Sequence, residues 1–141
     1  MIIAVDLTSE VPIYQQIRDR VVEAIAQRQL AEGDPLPSTR QLAVDLGINF
    51  HTVNKAYDLL RREGLLRLNR KSGAVVQRDA RSGEPEAGFA QDWETRLKTL
   101  LAEAVAHGLD RDAVLDRCRA TLDVFDAPPS RRERTPEKEH P

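Results

Sequence analysis

Between Leu36 and Gln77 two short helical patterns are separated by a glycine-marked turn. Leu42, Ala43 and Leu46 make one apolar face, and Ser38, after Pro37, suits the N-cap of that first helix. Gly47 ends it, because a tight turn needs a residue that accepts positive φ. Asn49 then suits the N-cap of a second helix, in which Val53, Ala56, Tyr57 and Leu60 recur at spacings of three and four to give a buried stripe. Gly64 closes that helix. Leu65–Leu68 and Ala74–Arg78 suit two short strands joined by the turn Asn69-Arg70-Lys71-Ser72-Gly73.

Helix, turn, helix and basic hairpin, in that order, spell a winged helix-turn-helix, a device that lays its second helix in a DNA major groove. The face opposite the apolar stripe carries His51, Thr52, Asn54, Lys55 and Asp58. Charge follows the same division. The 141-residue chain has a net charge of −2, which argues against a general nucleic-acid coat protein. From Arg40 to Arg78, however, eight basic residues face three acidic ones, a net of +5, whereas residues 80–141 carry ten against thirteen, a net of −3. Cations that neutralise phosphates release counterions, so binding through this region is expected to weaken steeply with salt.

Four runs at the right spacing resemble the GntR family of bacterial transcription regulators: Pro12-Ile13-Tyr14-Gln15-Gln16-Ile17, Leu36-Pro37-Ser38-Thr39-Arg40-Gln41-Leu42-Ala43, Thr52-Val53-Asn54-Lys55-Ala56-Tyr57 and Arg62-Glu63-Gly64-Leu65. The first run and the short C-terminal part are most similar to the YtrA-type subfamily, whose members have a brief helical dimerisation region in place of a large effector domain. The resemblance implies that Arg40 contacts DNA and that Ser38 and Thr39 position a phosphate at a helix N-terminus. It implies that Asn49, His51, Thr52, Asn54 and Lys55 lie on the recognition helix, where Asn can pair with adenine and Lys can reach guanine or a phosphate. Arg70, Lys71 and Gly73 fall where the wing meets the backbone or minor groove. His51 is equally readable as a solvated side chain, Arg61 and Arg62 as a solvated helix face, and Tyr57 as core. Two positions depart from the pattern. Phe50 stands where relatives often have proline, and is read either as packing under the turn or as meeting a thymine methyl. The wing Lys71-Ser72-Gly73-Ala74-Val75 keeps only one glycine.

Upstream, Ile2–Val5 reads as an extended arm, too short for a signal peptide or membrane span. Ile13, Ile17, Val21 and Ile25, with Tyr14 alongside, give an amphipathic helix ending near Leu30, with Pro12 at its first position and Ala31–Pro35 as a turn. The expected organisation is a DNA-binding domain at residues 1–79, a polar linker at 80–88 and a two-helix dimerisation region at 89–126. A disordered, proline-rich charged tail is expected at 127–141. Phe89, Trp93, Leu97, Leu100 and Leu101 repeat at helical spacing. After Asp110, an N-cap, Val114, Leu115, Cys118, Leu122 and Phe125 do the same. Two helices joined by a turn cannot enclose a core, so these residues are expected to meet a symmetry-related copy. Trp93 could instead line a ligand pocket.

No enzymatic reading competes. Cys118 lies on an apolar face, and a lone cysteine fits a reducing cytoplasm. His51, His107 and His140 have no metal-ligand spacing, and neither a cofactor nor a membrane association is expected. The expected fold is mainly α with a small β-wing. The expected function is a cytoplasmic homodimeric regulator, a repressor, on an inverted-repeat double-stranded operator, read through residues 50–63 and a wing at 66–78. Two alternatives stay open: a winged-helix protein-interaction module, and a sensor of an unknown small-molecule effector bound between helices.

Overall fold

The computed structural model describes residues 3–70 and 73–126. Five helices and one hairpin follow in the order α1 (Ile13–Ala26), α2 (Thr39–Leu46), α3 (Phe50–Arg62), β1 (Leu66–Asn69), β2 (Gly73–Val76), α4 (Phe89–Ala106) and α5 (Arg111–Asp126). This is the mainly α architecture with a β-wing that the spacing predicts.

The caps fall where the sequence places them. Ser38 Oγ accepts the Gln41 N–H at 3.1 Å, and Asn49 Oδ1 accepts the His51 N–H at 2.9 Å. Asp110 Oδ1 accepts the Ala113 N–H at 2.8 Å at the start of α5. Gly47 sits at φ 66°, and beyond it the Ile48 N–H returns to the Ala43 carbonyl at 3.0 Å, closing α2 as a Schellman turn.

Helix α1 is shorter than its apolar pattern. It stops at Ala26 rather than near Leu30, because Arg28 takes the left-handed conformation at φ 62° and the Gln29 N–H folds back to the Ala24 carbonyl at 2.9 Å. Ending there turns Leu30 into the core. The segment read as a plain turn at 31–35 also does more. Gly33 N–H donates to the Val76 carbonyl, Val76 N–H to Asp34 and Leu36 N–H to Ala74, each at 2.9 Å, with Pro35 bridged to Val75. Strand β2 is therefore flanked on both sides, by this segment and by antiparallel β1 (Leu66 opposite Val76, Asn69 opposite Gly73), and Ala74, Val75 and Val76 are all buried.

The core joins Ile17, Val21 and Ile25 of α1, Leu42 and Ala43 of α2, Val53, Ala56, Tyr57 and Leu60 of α3, and Leu66 and Val76 of the hairpin. Ile3 belongs to it as well, so the arm packs on the domain. Gln16 holds the arm there. Its side chain accepts from the Asp6 N–H at 2.8 Å and donates to the Asp6 and Val11 carbonyls at 3.0 and 2.8 Å. Arg18 clamps α1 to the end of α3, with Nε and Nη2 on the Glu63 carboxylate at 3.0 and 2.8 Å. Burial works against the charged form of Arg18, but Glu63 and Asp19 outweigh it and hold its pKa above the ordinary value.

After β2 the chain is pinned before it leaves. Asp79 accepts the Glu32 and Arg81 N–H groups at 2.9 and 2.8 Å, which holds its carboxyl below the usual range, and Ser82 Oγ donates to Glu32 at 2.8 Å. Helices α4 and α5 bury no residue. The tail at 127–141, together with Ile2, Lys71 and Ser72, lies outside the described residues.

Candidate nucleic-acid interface

Packing Val53, Ala56, Tyr57 and Leu60 inward leaves His51, Asn54 and Lys55 exposed on the outer side of α3. Besides the core packing of Leu42 and Ala43, a hydrogen bond ties the start of α2 to this helix: the Tyr57 hydroxyl donates to the Pro37 carbonyl at 2.8 Å. Tyr57 is 2% exposed, and burial pushes its phenol above the ordinary value, so it stays a neutral donor. The Thr39 and Arg40 amides precede Leu42, the first helical donor, whose N–H reaches the Ser38 carbonyl at 2.9 Å, so they have no intrahelical acceptor, the usual condition of a helix start that meets an anion. Between α2, α3 and the hairpin lies a groove of about 470 Å³, lined by Ser38, Thr39, Asn54, Asp58, Leu68 and Asn69 among others.

The expected contact residues separate into several kinds of position. Arg40 is exposed, with its guanidinium carbon 5.0 Å from the centroid of the Phe50 ring. His51 is exposed, its ring 4.1 Å from that of Phe50. Asn54 opens onto the groove. Lys55 is exposed, but its ammonium lies 4.0 Å from the centre of the Tyr14 ring, at the edge of α3 nearest α1. Ser38 and Asn49 both spend a side-chain oxygen on capping, and Thr39 and Thr52 are half-buried. Arg70 is exposed at the hairpin tip, and Gly73 opens β2 at φ 71°. Lys71 falls outside the described residues.

Three basic residues counted toward the reading unit point elsewhere. Arg61 and Arg62 both bond the Asp58 carboxylate, Arg61 at 2.6 Å, and these bonds hold the Asp58 carboxyl below its ordinary value. Arg78 donates to the Gly83 and Glu84 carbonyls at 2.7 and 3.3 Å, beyond the wing. Three of the eight cations counted over residues 40–78 are thus bonded to acceptors of this chain, although Arg61 and Arg62 stay exposed. Phe50 is half-buried and packed against the core, with the Arg40 guanidinium over its ring. Sequence spacing gave no sign of Leu68, 58% exposed on β1 and facing the groove, or of Tyr14 and Phe50 as seats for cations. Such pairs join different elements, and no periodicity encodes them.

The second group of expected residues lies on α4 and α5. Phe89, Trp93, Leu100, Leu115, Cys118 and Leu122 are exposed, and Leu97, Leu101, Val114 and Phe125 are half-buried. Among the described residues no set of three metal-binding side chains converges, and no helix is long and apolar enough to cross a membrane.

Comparison with known proteins agrees with the geometry. Residues 13–76 match the model of bacterial regulatory proteins of the gntR family. The chain is 34% identical over 108 residues to the HTH-type transcriptional repressor YtrA of Bacillus subtilis, spanning 77% of this chain and 82% of that one. Among solved structures, YtrA from Sulfolobus acidocaldarius, a GntR-family transcription factor, is 39% identical and covers 75% of this chain and 99% of its own, with a TM-score of 0.59. A transcriptional antiterminator from Listeria monocytogenes, 22% identical, shares the fold over 91% of this chain and 96% of its own, with a TM-score of 0.80. These relatives are regulators rather than enzymes. The chain belongs to the GntR family of bacterial regulatory proteins, as a YtrA-like transcription regulator with a winged helix-turn-helix DNA-binding domain.

Proposed function

We propose that the protein is a homodimeric repressor that reads an inverted-repeat operator, with α3 in the major groove and the hairpin on the flanking backbone. One observation carries this reading. The Tyr57–Pro37 bond brings the start of α2, with Arg40, beside the exposed His51–Asn54–Lys55 face of α3, and the hairpin closes the other side of the groove. Residues 1–79 form the reading head in this account, and 80–88 join it to a dimerisation region at 89–126.

The C-terminal helices supply the argument for two copies. Trp93 is 46% exposed and Leu100 62%, on helices that bury nothing of their own. Apolar side chains in such numbers on two adjacent helices are ordinarily covered by a partner surface. Two-fold symmetry of the protein then sets two-fold symmetry in the operator. The name of the Bacillus relative supports repression as the direction of control. A groove of about 400 Å³ between α1 and α5, lined by Glu23, Gln27, Thr121, Val124 and Phe125 among others, is where a small effector would sit if one is used.

The test is a duplex selection at low and moderate salt with the oligomeric state measured in parallel. A palindromic site bound by a dimer is expected. Arg40→Ala should weaken binding about tenfold or more with unchanged thermal stability. Truncation after Asp79 should yield a monomer that binds far more weakly. Unaltered affinity in the first variant removes Arg40 from the contacts, and a dimeric truncation product overturns the role of residues 89–126.

A further inference from the structure

Arg40 rests on an aromatic ring that the domain itself holds still. Its guanidinium carbon lies 5.0 Å from the Phe50 centroid, and Phe50 is packed against the core from below. The His51 ring adjoins it at 4.1 Å. Among the described residues no carboxylate or carbonyl accepts a hydrogen bond from the Arg40 guanidinium, so the ring is its support. Cations are drawn to the negative face of an aromatic ring, and a guanidinium so held keeps its N–H edge available for a bidentate acceptor.

We infer that Phe50 is a positioning residue for recognition: it seats Arg40 at the start of α3 and so fixes where that arginine meets the duplex. The inference rests on the DNA reading above. Phe50 opens α3, so the seat and the reading helix belong to one rigid element. An unsupported arginine must surrender its rotamer freedom on contacting DNA, whereas one already confined surrenders less. Lys55 over Tyr14 differs, because its seat lies on α1.

The experiment uses the full chain and the duplex recovered from a randomised 40-bp library, a length on the order of two major-groove half-sites with flanks. Phe50→Leu keeps an apolar side chain but removes the ring, and Phe50→Tyr keeps the ring. Phe50→Leu is expected to weaken binding roughly three- to tenfold, and Phe50→Tyr less than about twofold. In an Arg40→Ala background, Phe50→Leu should add no further loss. In the unliganded protein the Arg40 side-chain resonances should show a ring-current shift that Phe50→Tyr preserves and Phe50→Leu abolishes. The shift is read first on the unaltered chain, so it stands whatever Phe50→Leu does to folding. Equal affinity of Phe50→Leu and the parent, additive losses in the double variant, or no ring-current shift overturns the inference. If Arg40→Ala binds as the parent does, Arg40 leaves the contacts and the inference falls with it; if no duplex is recovered, the DNA reading itself fails. That result is distinct from an Arg40-dependent site that ignores Phe50.

Discussion

The first 76 residues and the last two helices solve the problem of apolar surface in opposite ways. In the winged unit three short helices, an arm and a flanked hairpin converge, and among the described residues every buried hydrophobic one lies there, from Ile3 to Val76. Helices α4 and α5 are longer, with 18 and 16 residues, yet bury nothing. Helix length and internal regularity therefore say little about self-sufficiency. What matters is whether several elements can surround a common interior, and two helices cannot. Among the described residues the winged unit encloses a core, whereas the helical pair does not.

That contrast can be broken or sharpened by substitution. Leu60→Ala removes a fully buried side chain from α3 and should lower stability by about 3 kcal/mol at any protein concentration, read by denaturant titration. A loss under about 1 kcal/mol would mean that the core is not close-packed there. Gln16→Ala leaves the Asp6 N–H and the Asp6 and Val11 carbonyls without their side-chain partner, and should cost about 2 kcal/mol and loosen the arm, visible as faster amide exchange over residues 3–11. Leu100→Ala should behave differently. It should leave the unfolding of the winged unit unchanged while raising the dimer dissociation constant by about tenfold, measured by sedimentation. A shift in winged-unit stability instead would mean that the helices are part of the same fold.

The smallest effect is electrostatic. Asp58 has its pKa lowered from 3.8 by Arg61 and Arg62, so the folded state favours its carboxylate. Its contribution is present above 3.8 and disappears as pH falls through the lower folded value. Asp58→Asn should therefore flatten the acid limb of the stability profile below that point and leave the neutral limb unchanged. An acid limb identical to the parent's would show that these exposed pairs contribute nothing measurable.

Much of the winged unit was legible in the chain because its signals are local. Gly47 and Gly64 mark ends, Ser38 and Asn49 mark starts, and a period near 3.6 picks out Val53, Ala56, Tyr57 and Leu60. Where a position broke its local rule the reading slipped. Arg28 ends α1 in a conformation usually left to glycine, so nothing in the residue types announces the stop. Pro35 disguises a segment that pairs with β2. The candidate interface was legible by position but not by partner. Arg40 and Lys55 were in view, but the rings beneath them, and the diversion of Arg61, Arg62 and Arg78 to other acceptors, depend on how elements cross.

The Tyr57 hydroxyl also has a mechanical meaning. Because it ties α3 to the backbone just ahead of α2, α3 cannot turn against the start of α2 without breaking that bond. For the dimer proposed above, a signal from the far helices would act by changing where, and how far apart, intact heads are presented.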